Sequence, residues 1–264
     1  MRRAAEVGAS LTPHVEMFGL QFAAVTLREA ARMLVDAAAD RKKGLVVTPN
    51  VDHLVIMSRD ASVRSVYESA SWTFADGMPI VWLSRILHAP GVPERVTGAD
   101  LLPLVASLSV QRGLRLFFCG GEKGVAERLA ARLQEETPGV NVVGTYSPPF
   151  GFESDPDESA GMVARLNRAK PDILFLGLGT PKQELWAHRH QSQLDVGPIL
   201  CFGGAFDLTA GLKARAPKWM RNAGLEWAWR LAYEPRRLWR RYLVQDVAFA
   251  VLALKEAFRA RRRG

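Results

Sequence analysis

Leu45-Val46-Val47-Thr48-Pro49-Asn50 decides the fold. Three strand-favouring apolar residues run without a polar interruption and stop at a proline, which cannot donate to a ladder. A strand with one wet face alternates apolar and polar residues. A continuous apolar run fits a strand buried on both faces. The pattern recurs along the chain. Trp72 to Ala75 ends at Asp76-Gly77, and Leu114 to Cys119 ends at Gly120-Gly121. Asn141 to Thr145 stops before Ser147-Pro148-Pro149, Asp172 to Leu176 ends at Gly177, and Pro198 to Phe202 ends at Gly203-Gly204. Helical spacing lies between and before these runs. Thr26 to Ala39 places Leu27, Ala30, Ala31, Leu34, Val35 and Ala38 on one face, and Gly124 to Glu136 does so with Val125, Leu129 and Leu133. A further short apolar run spans Met17 to Ala24. Buried strands alternating with helices predict an α/β fold: a mostly parallel sheet with helices on both faces. No internal repeat or low-complexity linker interrupts it. The composition shifts near Ala210, which divides the expected core, residues 1–210, from a basic helical appendage, residues 211–264.

The chain has 264 residues, enough to bury a core without a disulfide or metal staple. Its balance of 48% hydrophobic and 23% charged residues excludes wholesale disorder and a polytopic membrane protein. The two cysteines, Cys119 and Cys201, each close an apolar run and read as reduced core residues. The net charge is +8, which points to an anionic partner. From Lys213 onward there are 14 Lys and Arg against 4 Asp and Glu, a balance of +10, so the preceding 212 residues carry −2. The body is near neutral and the tail basic. The first residues, Met1-Arg2-Arg3-Ala4-Ala5-Glu6, lack the apolar region of a signal peptide. The longest uncharged stretch of the tail, Val247 to Leu254, is far shorter than the roughly 20 residues of a spanning helix. A cytoplasmic location is the expectation.

In open α/β sheets, ligands bind at the carboxyl ends of the strands. Here those ends carry Thr48-Pro49-Asn50, Asp76-Gly77, Gly120-Gly121, the stretch from Gly177 to Gln183, and Gly203 to Asp207. Glycines such as Gly120 and Gly179 let a ligand approach the backbone, and following helix N-termini favour phosphate. Any one of these is an ordinary turn; five on one edge point to a nucleotide-type site. Neither Gly120-Gly121-Glu122-Lys123-Gly124 nor Gly177-Leu178-Gly179-Thr180-Pro181-Lys182 is a dinucleotide fingerprint or a P-loop, which argues against a nicotinamide-dependent oxidoreductase. A nucleic-acid-binding protein would account for the charge and the tail aromatics, but not for polar strand ends in a neutral body. A nucleotide-binding protein without catalysis is a further alternative.

These segments, with Glu94-Arg95-Val96-Thr97-Gly98, Gln183-Glu184, Arg215-Ala216-Pro217-Lys218-Trp219 and Glu226-Trp227, resemble the TagA/WecG/CpsF family of bacterial glycosyltransferases. The resemblance covers roughly Phe18 to Tyr242. It implies a Rossmann-like core with a membrane-associating C-terminal appendage. It also implies inverting, metal-independent transfer of a sugar from a UDP-sugar to an undecaprenyl-diphosphate-linked acceptor at the inner face of the cell membrane. Family products are teichoic acid, enterobacterial common antigen and exopolysaccharide; donors include N-acetylmannosamine, its uronic acid and glucose. No cofactor or metal is implied.

Inverting transfer needs a base for the acceptor hydroxyl and positive charge where the diphosphate leaves. Asp76, beside flexible Gly77, matches the family's proposed catalytic aspartate; otherwise it is a turn or cap residue. Thr48 and Asn50 flank Pro49 and either hydrogen-bond donor sugar or phosphate, or make an Asx or ST turn. Arg95 pairs with a phosphate oxygen or with a surface carboxylate. Gln183 matches the family's active-site glutamine, and Asp207 suits the uracil N–H. Arg230, Arg237 and Arg240, spaced seven and three apart, share one helical face and match arginines thought to close over the diphosphate; a solvated basic face is the plainer reading. Tail aromatics, among them Trp219, Trp227, Trp229 and Tyr233, interleave with basic residues as in helices lying on anionic membranes. Self-association through a surface left exposed by a displaced tail is a further expectation. Asp155-Pro156-Asp157 spells a metal-binding D-x-D but reads as a helix cap followed by Pro. His188 and His190, two apart, cannot share a metal from one helix.

Overall fold

The computed structural model describes residues 12–233 and 235–263, with the side chains of residues 222, 230, 236–247 and 263 outside that description. Its main sheet has six parallel strands: β3 (Gly44–Val47), β4 (Trp72–Thr73), β5 (Arg115–Gly120), β6 (Asn141–Tyr146), β7 (Ile173–Gly177) and β8 (Pro198–Cys201), in the order β4-β3-β8-β7-β5-β6. The continuous apolar runs are explained by two cores. Val46, Phe118, Phe175 and Leu200 point into one, whereas Val47, Cys119, Leu176 and Cys201 point into the other. Successive residues alternate between faces, and both faces are dry. In the first core, Phe118 stacks on Phe175 with ring centroids 4.9 Å apart and meets Phe206 edge-on at 6.0 Å, contacts worth about 0.5–1.5 kcal/mol each beyond area burial.

The Met17–Ala24 run proves to be half of a separate antiparallel hairpin, β1 (His14–Met17) with β2 (Leu20–Ala23). Phe18 and Gly19 both have positive φ, the backbone twist a two-residue hairpin demands. Helix α1 (Leu27–Ala39) opens with a capping box in which Thr26 accepts from the Glu29 N–H and Glu29 accepts from the Thr26 N–H. β4 is shorter than its apolar run. Phe74 and Asp76 nonetheless keep donating to the Val47 and Pro49 carbonyls, so the chain stays extended to the candidate site.

The crossovers create the site. After β3 the chain enters α2 (Val51–Arg59), which packs into the second core with α3 (Ala61–Glu68), α4 (Met78–Leu87), α7 (Pro156–Ala169) and α8 (Lys182–His190). After neighbouring β8 it enters α9 (Ala205–Thr209), which packs into the first core with α1, α5 (Gly98–Ser109) and α6 (Val125–Glu136). Adjacent strands whose following loops leave to opposite faces open a crevice at their carboxyl ends. Three helices follow, α10 (Lys218–Asn222), α11 (Glu226–Tyr233) and α12 (Pro235–Arg263). α12 lies along α2 and α4, where Phe249 and Leu252 join the second core. Among the described residues, no helix is long and apolar enough to cross a membrane.

Asp155 accepts from the Asp157 and Glu158 N–H groups and Pro156 opens α7, so this aspartate is a cap. His188 reaches Ser69, the C-cap of α3, at 3.2 Å, while His190 packs against the Trp186 ring. Both cysteines are buried and free; burial pushes the Cys119 thiol up to about 12 and Cys201 well above its ordinary value.

Candidate active site

A cleft of about 670 Å³ lies at the carboxyl ends of β3, β4, β7 and β8. Thr48, Asn50, Asp76, Gly179 and Gln183 all line it. Thr48 is buried at the end of β3. Asn50 caps α2, its Oδ1 accepting from Asp52 N (3.0 Å) and His53 N (3.3 Å). The Asx reading is therefore correct for its oxygen, and the cap leaves the two N–H groups of Nδ2 for a ligand. Asp76 precedes Gly77, which lies beside Asn50 and whose φ of 141° favours glycine. The Val96 N–H donates to the Ala75 carbonyl, which brings Arg95 alongside Asp76.

Arg95 does not line the cleft itself. Its Nη1 donates to Glu226 Oε2 at 2.6 Å, and Glu226, from α11, faces the cleft. Burial opposes the charge of Arg95, yet the Glu226 hydrogen bond and the Asp76, Glu226 and Asp100 carboxylates outweigh it and raise its pKa. Asp100, in the first turn of α5, accepts ion pairs from Arg215 (2.7 Å) and Arg221 (3.3 Å). Burial pushes its carboxyl up, but Arg215, Thr97 and Arg95 hold it below the ordinary value. Two anchors thus fasten the C-terminal segment over the cleft: Glu226 to Arg95, and Arg215 with Arg221 to Asp100. The sequence assigns Glu226 and Asp100 no role at the site, because ion pairing across so many residues leaves no local signal.

Gln183 is 1% exposed and held on both sides. Its Oε1 accepts from the Gly203 N–H at 3.1 Å, and its Nε2 donates to Glu184 Oε1 at 2.8 Å. Glu184 Oε1 also accepts from Tyr67 OH (3.2 Å) and Thr180 Oγ1 (3.1 Å), while its buried Oε2 has no partner. Burial, stronger than these hydrogen bonds, raises the Glu184 pKa; burial and the Glu184 charge raise that of Tyr67. Gln183 thereby ties the loop after β8 to the first turn of α8.

Gly120 and Asp207 are not among the residues lining the cleft. A Cβ at Gly120 would lie 2.4 Å from the Gly177 carbonyl carbon, so this glycine lets β5 and β7 approach. Asp207, on short α9, pairs with Lys213 Nζ at 2.9 Å. The side chains of Arg230, Arg237 and Arg240 lie outside the described residues. The backbone carries Arg230 on α11 and the other two on α12, which opens at Pro235, in place of the single helical face expected from their spacing.

A doubly wound sheet with a polar cleft at its crevice, roofed by a C-terminal helical segment, is the class that fold and site define. The chain belongs to the glycosyl transferase WecG/TagA/CpsF family, whose model matches residues 15–263. It is similar to the N-acetylglucosaminyldiphosphoundecaprenol N-acetyl-beta-D-mannosaminyltransferase of Bacillus subtilis (strain 168), 30% identical over 218 residues, 82% of each chain. The protein of the same description from Bacillus spizizenii (strain ATCC 23059 / NRRL B-14472 / W23) is 31% identical over 205 residues, 77% of each.

Proposed function

We propose that this chain is an inverting glycosyltransferase that moves an N-acetylmannosamine-type sugar from a UDP-sugar to N-acetylglucosamine on undecaprenyl diphosphate, in the synthesis of a cell-surface polymer. The supporting observation is the convergence of Thr48, Asn50 and Asp76 on one cleft, with Arg95 beside Asp76. Asp76 takes the proton of the acceptor hydroxyl as its oxygen attacks the anomeric carbon. The new C–O bond forms on one face while the bond to the β-phosphate oxygen breaks on the other, and UDP leaves with the electron pair. Thr48 and the Asn50 amide hydrogen-bond donor sugar or phosphate. Gly179 and Gln183 shape the donor side, and Arg95 balances the charge around Asp76. Arg230, Arg237 and Arg240 meet the leaving diphosphate bidentately, which replaces a metal ion. The appendage, residues 211–264, holds the protein on the anionic inner face of the membrane, where the acceptor resides.

The test is UDP release from a panel of UDP-sugars with a lipid-diphosphate N-acetylglucosamine acceptor in the presence of chelator. Wild type should release UDP only with acceptor. Asp76→Asn should lower kcat by about 10²–10⁴-fold while retaining UDP binding. Acceptor-dependent release unchanged in Asp76→Asn removes the base assignment, and complete loss on adding chelator removes the metal-free mechanism.

A further inference from the structure

α11 presents a chemically distinctive face to the cleft. Glu226, Trp229 and Tyr233 all line it, at positions i, i+3 and i+7, so they share one side of the helix. The Trp229 and Tyr233 rings lie 4.8 Å apart at 36°, forming a continuous aromatic platform. Trp229 Nε1 donates to the Ala214 carbonyl at 3.4 Å, which orients the indole. Glu226 is fixed at the cleft by the Arg95 Nη1 donor, 2.6 Å from its Oε2.

An aromatic platform edged by a fixed carboxylate suits a pyranose, which offers an apolar C–H face and a rim of hydroxyl donors. Arg95 bridges this face to Asp76, since it bonds Glu226 and lies in the field of Asp76. A sugar seated on α11 therefore sits beside the base, where the sugar surrendering a hydroxyl proton has to be. The same helix exposes Trp227, and Trp219 is exposed on α10, so the apolar approach expected of a lipid-borne sugar leads to this face.

We infer that the inward face of α11 is the subsite for the pyranose of the lipid-linked acceptor, with Tyr233 and Trp229 stacking on the ring and Glu226 accepting from its hydroxyls. This rests on the acceptor chemistry proposed above and assigns it to named residues. The experiment is equilibrium binding of the full chain to an alkyl diphosphate bearing N-acetylglucosamine, compared with the same alkyl diphosphate without the sugar. Wild type should bind the glycosylated probe at least tenfold more tightly. Tyr233→Ala and Trp229→Ala should remove that gain while changing UDP affinity by less than twofold. Tyr233 is 62% exposed, so its truncation leaves the fold intact, which the unfolding midpoint verifies. No sugar-dependent gain in wild type, or a gain that survives both substitutions, overturns the subsite. A fall in UDP affinity matching the loss gives the face to the nucleotide and also overturns it. The binding needs no turnover: a sugar-dependent gain without UDP release from any donor sinks the donor reading and leaves this subsite standing.

Discussion

At the scale of single residues, polar groups that look alike in sequence do different work. Asp76 and Asp155 both precede helices, yet Asp155 spends its carboxylate on two backbone N–H groups whereas Asp76 lines the cleft. Gly120 ends β5 and Gly179 lies just after β7, but only Gly179 lines the cleft. Gly120→Ala, with its Cβ forced against the Gly177 backbone and φ at 132°, is expected to cost at least about 1–3 kcal/mol of stability. Denaturant unfolding checks this, and an unchanged midpoint would show that β5 and β7 can separate at no cost. Glu184 makes a pH prediction. Its folded-state pKa is raised above the 4.5 of an exposed glutamate, so the native chain binds the proton more tightly than the unfolded chain. The stability this supplies is complete below pH 4.5 and is lost as pH rises through the folded value. Glu184→Gln should flatten that decline relative to wild type in thermal unfolding across the range. A decline of equal slope in the variant refutes burial as the cause.

Between elements, the decisive contacts are long-range ion pairs. The Arg95–Glu226 pair joins the loop before α5 to α11, with both side chains only 13–14% exposed. Burial in the native protein makes such a pair strongly coupled, because removing one partner strands the other charge. A double-mutant cycle of Arg95→Met and Glu226→Gln should return a coupling of about 0.5–3 kcal/mol in unfolding free energy. Strict additivity would mean that α11 docks without this contact. Asp100 adds a second anchor through Arg215 and Arg221, so two rather than one must release before α11 leaves the cleft.

For the whole molecule, charge and surface apolarity are segregated together. The near-neutral body carries the sheet, and the +10 segment from Lys213 carries exposed Trp219, Trp227 and Tyr233. Val251, Leu254 and Phe258 are exposed on α12, and the core adds Trp82 and Ile86 on neighbouring α4. Anionic liposomes should bind the chain in low salt and release it as ionic strength rises, since surface charges are screened beyond about 10 Å at 0.1 M. Removing residues 213–264 should abolish the binding in a sedimentation assay. Salt-sensitive binding that survives the truncation would place the membrane contact on the core.

What was legible in the sequence is what short-range physics controls. Continuous apolar runs ending at Pro49, Gly177 and Gly203 marked buried parallel strands, because side-chain period and chain-breaking residues act within a few positions. The same logic read Thr48, Asn50 and Asp76 as one strand-end set, since parallel strands bring their carboxyl ends to one edge. The hairpin at Phe18-Gly19 was not legible, because a non-glycine residue at positive φ carries no compositional mark. Nor were the roles of Gly120, Gln183, Glu184 and Glu226. Whether a glycine spaces two strands or admits a ligand depends on what lies across from it, and an ion pair between residues 95 and 226 exists only after the chain folds back. Residue type and spacing determined the sheet and the edge that carries the site; packing and charge pairing between distant segments decided which polar groups face the cleft.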